Sequence, residues 1–172
     1  MAMALVTVRA GGHAALAKAV QTHYRIALPA IGKRAAGAGL TVAGIGPGQW
    51  LAEMTFAPAE GIERVLRSTL GAHATIVDQS HARIILRLSG PRVRDVLSAG
   101  VPLDLHPRAF GPDDVAQTIV SHIGVQIWQL AADPVYEMAV PRSMIGSFWS
   151  WLEHAALRYG LEVRPALLPK PS

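Results

Sequence analysis

The sequence predicts an α+β fold: two split βαβ halves in tandem, with antiparallel or mixed sheets covered by helices. Three observations carry this. Short strand-length runs with period-two alternation recur along the chain. Stretches of helical length sit between them. The order β-α-β-β-α-β, complete by about residue 79, then restarts.

Ala4–Arg9 (ALVTVR) alternates and reads as a strand. Gly11–Ala27 is Ala-rich with Leu16, Val20 and Tyr24 at helical spacing, and Pro29 stops it. Gly32–Gly39 reads as a loop. Leu40–Ile45 and Trp50–Phe56 read as a hairpin around GPGQ. Glu60–Leu70 has acids in its first turn and Arg64 and Arg67 later, which suits the helix dipole. Ala72–Val77 is the strand that closes the first half.

In the second half, Ala82–Leu88 is a strand, and Ser89 is placed to cap a helix over Gly90–Ser98 with Pro91 in its first turn. Asp114–His122 and Val125–Leu130 form a hairpin around Gly124, and Val135–Val140 alternates as a strand. Met144–Tyr159 is a helix ending at Gly160, and Leu161–Arg164 a short final strand. The reading is one domain over 1–172, with halves at about 1–79 and 80–164 and a loose tail over 165–172.

Composition narrows the function. Of 172 residues, 51% are hydrophobic and 16% charged, against about 25% charge in an ordinary soluble domain. The missing charge points to surface covered by a partner or a membrane. The longest uncharged runs, Ala35–Ala52 and Val115–Ala132, are broken by Gly, Pro, Gln and His and do not read as spans, and the N-terminus lacks the basic start of a signal peptide. Burial against another subunit is the better account. With no Cys, disulfides, thiol chemistry and Cys metal sites are excluded, and a cytoplasmic location is expected. The net charge is +4, but the basic residues are scattered, unlike a nucleic-acid stripe.

Catalytic patterns are scarce. The seven His show no HExxH spacing, and GxSxG is absent. Gly44–Gly48 (GIGPG) resembles a phosphate loop, but a strand follows it, and Pro47 removes an amide donor, so it reads as a hairpin turn. VPLDLHPRAF places Asp104, His106 and Arg108 in alternation. It reads either as a polar triad with His106 as acid or base, or as a connecting segment pinned by an Asp104–Arg108 or backbone contact. With no nucleophile in view, the second is favoured. In the last helix, Ile145, Phe148, Leu152, Ala155 and Tyr159 share a face that Met144, Trp149 and Trp151 widen beyond one sheet's need. Asp104, His106, Arg108, Trp149 and Trp151 are therefore the candidate interface residues. No catalytic, cofactor-binding or metal-binding residue is assigned.

LRLSGPRVRDVLSAGVPLDLHPRAF, the AQT at Ala116–Thr118, VYEMAVPRSMIGSFWSWLEHAA and the GPGQWL at Gly46–Leu51 together resemble the gamma subunit of heterotetrameric sarcosine oxidase. The resemblance covers most of Leu40–Tyr159. It implies a fold related to the folate-binding domain of the glycine-cleavage aminomethyltransferase. It also implies an accessory chain that docks mainly on an alpha subunit, beside beta and delta subunits. FAD, FMN, NAD, zinc and tetrahydrofolate would sit on those other chains of an enzyme that oxidatively demethylates an N-methyl amino acid. Related complexes such as N-methylglutamate dehydrogenase are similar, and this chain does not choose between substrates. An obligate subunit would bury roughly 2,000 Å² or more. A free-standing folate-binding one-carbon protein would instead show a deep pocket with a carboxylate for the pterin and an Arg for the glutamate tail. No single acid stands out for that role.

Overall fold

The computed structural model describes residues 1–55 and 58–165. In the first half, β1 (Ala2–Val8), α1 (His13–Tyr24), β2 (Arg34–Gly37), β3 (Leu40–Gly46), β4 (Gln49–Met54), α2 (Ile62–Leu70) and β5 (Ala74–Asp78) follow in order. The second half runs β6 (Arg83–Ser89), α3 (Val93–Ser98), β7 (Val115–Val120), β8 (Ile123–Ala131), β9 (Val135–Pro141), a 3-10 turn at Arg142–Met144 and α4 (Ile145–Ala156). Two antiparallel sheets result, ordered β2-β3-β4-β1-β5 and β6-β9-β8-β7. The expected class, α+β with helices covering the sheets, is the one observed.

Strand alternation decides the layering. Ala2, Ala4 and Val6 of β1 point into a core with Leu16, Val20 and Tyr24 of α1 and Ile62, Leu66 and Leu70 of α2, whereas Met3 points the other way. In the second half, Tyr136, Met138 and Val140 of β9 meet Phe148, Leu152 and Ala156 of α4 and Val93, Val96 and Leu97 of α3, and Ala139 points away. The residues pointing away, Met3, Ala43 and Leu51 from one sheet and Val115, Trp128 and Ala139 from the other, form a third core between the sheets. The chain is thus a four-layer sandwich, helices outside and sheets face to face.

Several expectations are corrected. Gly32–Gly39 contains strand β2. Its small residues carry no strong alternation, and its strand state comes from pairing with β3, Arg34 opposite Ala43 through Gly37 opposite Leu40. Ser89 ends β6 instead of capping α3, which starts at Val93 with no side-chain cap, after Gly90 turns the chain at φ 122°. The β7–β8 turn is Ser121-His122, both at positive φ as a tight hairpin requires, and Gly124 lies within β8. Helix α1 stops at Tyr24, where Arg25 takes the left-handed conformation, and α4 stops at Ala156, short of Tyr159. Leu161–Arg164 forms no strand. Phe56 and the tail from 166 onward lie outside the described residues.

The GIGPG motif is a hairpin, with Gly44 serving a close backbone approach. Residues 30–33 cross β3 there, with Gly32 N donating to Gly44 O and Gly44 N to Lys33 O, both at 2.9 Å. A Cβ at Gly44 would stand 2.3 Å from the Ala30 carbonyl oxygen, an atom that cannot swing aside. Gly44→Ala is therefore expected to destabilise the chain by roughly 1–3 kcal/mol or more, read by urea unfolding, and an unchanged midpoint would contradict this packing.

Candidate functional site

The Val101–Phe110 run is a packed connector. Val101, Leu105 and Phe110 are buried in the second core, with the Phe110 ring 6.4 Å from that of Tyr136. Asp104, His106 and Arg108 are exposed. The Asp104 carboxylate accepts from the His106 backbone amide at 2.9 Å, and His106 Nδ1 accepts from the Arg108 amide at 3.2 Å. A helical turn closes the run, the Ala109 and Phe110 amides both donating to His106 O. The side chains therefore cap backbone donors, and Asp104 does not touch the imidazole. Of the two contacts expected to pin this segment, the backbone one forms, and the Asp104–Arg108 ion pair is not among the contacts described.

Of the tryptophans in α4, Trp149 and Trp151 are both half-buried against the second core. Trp151 packs tilted against Phe148, ring centroids 5.4 Å apart, and covers Gly100, where a Cβ would lie 2.5 Å from the indole nitrogen. It fixes the end of α3 against α4. Tyr159, expected on the apolar face, lies beyond the helix with the Arg92 guanidinium 5.5 Å above its ring. The structure does not bring these aromatic residues together with Asp104, His106 and Arg108 into a cleft.

The most concentrated polar chemistry lies between the sheets, at residues the sequence reading passed over. Glu137 of β9 is buried and fully bonded: Arg87 Nε and Nη2 donate to Oε1 at 3.0 and 2.7 Å, and Trp128 Nε1 donates to Oε2 at 2.8 Å. Glu53 of β4 faces the same layer with less support. Arg34 Nη2 stands 3.7 Å from Oε2, beyond hydrogen-bond length, and Oε1 has no hydrogen-bonding partner. Burial pushes its carboxyl up to about 7, opposed by Arg34 and reinforced by the Glu137 charge. Arg83 Nη1 bonds the Gln126 side-chain oxygen at 2.6 Å in the same layer. The readable signal was an acid inside a strand apolar on both sides, LAEM in β4 and VYEM in β9, at matching places in the two halves.

The layer leaves no room for a ligand, because Trp128, Met3 and Leu51 fill it and are each buried. Two open surface depressions lie near α2 and β5, one around Glu60, Arg64 and Asp78 and the other around Arg9 and Thr75. Neither reaches Glu53 or Glu137, so the pterin-and-glutamate cradle expected of a folate protein has no counterpart there. Among the described residues, no three His, Asp or Glu side chains converge as a metal set, and no helix is long and apolar enough to cross a membrane.

Comparison with known proteins places the chain. The Sarcosine oxidase, gamma subunit family model matches residues 9–158. The chain belongs to the sarcosine oxidase gamma subunit family. The sarcosine oxidase gamma subunit of an Arthrobacter species is 38% identical over 129 residues, and that of Corynebacterium strain P-1 is 39% identical over 131. These alignments cover 73% of this chain each, but 60% and 61% of the relatives, so the chain spans about three-fifths of the length of the curated relatives it matches. A chain from the structure titled heterotetrameric sarcosine oxidase from Corynebacterium sp. U-96 in complex with pyrrole 2-carboxylate superposes with a TM-score of 0.78. The identity is 30%, covering 95% of this chain and 83% of that one. Glycine cleavage system aminomethyltransferase T from Bartonella henselae shares the fold, with a TM-score of 0.64 at 15% identity over 88% of this chain and 43% of that one. The family fold and the aminomethyltransferase likeness expected from the sequence are therefore both observed.

Glu53 makes a pH signature of this family member's core. Its folded value of about 7 lies above the ordinary 4.5, so the folded chain holds the proton more tightly. Stability conferred by the neutral form is complete below about 4.5, is lost as pH rises to about 7, and then levels off. Glu53→Gln should remove that slope and gain on the order of 3 kcal/mol over the parent at pH 8, read by urea unfolding from pH 5 to 8. Parallel pH profiles for parent and variant would contradict a buried, protonating Glu53.

Proposed function

We propose that this chain is the accessory gamma subunit of a heterotetrameric, cytoplasmic flavoenzyme of the sarcosine oxidase type. It docks mainly on the alpha subunit and supplies no catalytic residue. FAD, FMN, NAD, zinc and tetrahydrofolate are held by the other chains. The complex oxidatively demethylates sarcosine or a related N-methyl amino acid, and the one-carbon unit passes to tetrahydrofolate or leaves as formaldehyde. The observation that carries this reading is the family match over residues 9–158 together with the 0.78 superposition. The surface agrees with it: among the described residues, the large apolar side chains left exposed include Leu157, Tyr159, Leu161 and Val163, four within seven positions. Such a patch marks a contact surface more often than a solvated one.

Co-expression with candidate alpha, beta and delta chains tests the reading, by size exclusion and a flavin spectrum. The chain should co-elute with a yellow complex and be inactive alone. A stable colourless monomer that ignores those chains and binds a reduced folate would overturn it.

The exposed polar residues of the connector supply a second check. If Asp104, His106 and Arg108 face a partner, Arg108→Glu should lower co-elution by about tenfold or more while leaving the melting temperature unchanged, since Arg108 is a surface side chain. Full co-elution would move the interface elsewhere.

A further inference from the structure

The two halves share one topology with one strand missing. The orders β2-β3-β4-β1-β5 and β7-β8-β9-β6 correspond strand for strand, β1 with β6 and β4 with β9. In the first half, β5 runs along the outer edge of β1, from Ala4 opposite Asp78 to Val8 opposite Ala74. The equivalent edge of β6 carries no strand among the described residues, although β6 pairs in unbroken register with β9 from Arg83 to Ser89. Burial records the difference. Ala2, Ala4 and Val6 of β1 are buried, whereas Ile84, Leu86 and Leu88 of β6 are only half-buried. An edge strand of seven residues with Ile84, Ile85, Leu86 and Leu88 apolar, without Pro or bulge, is a template for another strand.

The chain holds a candidate of its own and does not use it. Leu157–Gly160 is one residue longer than the Gly71–His73 link that returns β5 to β1, and Leu161 and Val163 alternate as Ala74 and Ile76 do. Yet Leu161 and Val163 stand 43% and 67% exposed, clear of the sheet. A second copy is opposed by charge. The β6 edge carries Arg83 and Arg87 and no acid, so two such edges paired antiparallel with these positions facing would set arginines against arginines. Arg87 keeps 61% of its side chain exposed even while bonded to Glu137.

We infer that the open edge of β6 receives an extended segment of a partner polypeptide as an added strand. That segment is apolar at the positions that continue the Leu86–Leu88 face and acidic where it meets Arg83 and Arg87. Main-chain hydrogen bonds hold it, and the side-chain pattern selects it. The inference rests on the subunit reading: that reading requires partner chains, and this one says where and in what form one is held.

Hydrogen exchange by mass spectrometry, on the chain alone and in the co-purified complex, tests it. The β6 amides should exchange at least about tenfold more slowly in the complex than in the isolated chain. The same protection should persist in a complex carrying Glu162→Pro and Val163→Pro together, because adjacent strand amides point to opposite edges and one of the two would have to donate to β6 if the chain's own tail joined the sheet. Unprotected β6 amides in an intact complex would overturn this inference and leave the subunit reading standing. Protection lost with the double proline variant would assign the edge to the chain's own tail, and protection that rises with concentration in the isolated chain would assign it to a second copy. Either result overturns the partner strand. Failure to form any complex removes the subunit reading, and this inference falls with it.

Discussion

Everything in this fold leans on the contact between the two sheets, and the contact leans on Glu137. A carboxylate buried in that layer would be very costly if it stood alone. Here Arg87 of β6 and Trp128 of β8 bring three donors to it, two from the guanidinium and one from the indole. Removing one partner from such a buried group typically costs about 3–5 kcal/mol, a large part of a domain's net stability. The same bonds fix β6 and β8 against β9, so the polar centre sets the register of the second sheet as well as its face. Glu53, its counterpart in the first half, lacks this support, which is why burial drives it toward the neutral form.

The sheets are also joined at one side by main chain. Arg34 N donates to Asp113 O and Val115 N to Gly32 O, both at 2.9 Å, and the Lys33 ammonium pairs with Asp114 across the same seam. With helices over both outer faces and side chains filling the middle, the interior is committed to packing. What remains for recognition is the perimeter: the β6 edge, the exposed residues from Leu157 to Val163, and the polar rim of the Val101–Phe110 connector.

Much of this was legible in the sequence where one local signal dominated. The hairpin at Pro47-Gly48, the charge order of α2 and the alternation of Val135–Val140 were all readable from the residues themselves. Strand β2 was not, because RAAG has no pattern of its own and becomes a strand only by pairing with β3. Leu161–Arg164 failed in the opposite direction: it alternates well, but alternation cannot say whether a neighbouring edge will accept it. The sequence offers Gly124 as the natural turn residue after β7, whereas Ser121 and His122 take the positive φ values themselves. The connector's alternating Asp104, His106 and Arg108 do lie exposed, but the segment closes in a helical turn around His106 instead of extending. Glu53 and Glu137 were missed because each looks like an ordinary strand polar residue until a second sheet covers it.

The central claim is that the buried layer makes two repeats into one cooperative unit. Native-state hydrogen exchange across a urea series, comparing amides of β3 and β4 with those of β8 and β9, tests this most directly. The account predicts that both sets merge into a single opening with one free energy and one urea dependence. Two separate isotherms, with one sheet opening while the other stays closed, would contradict it.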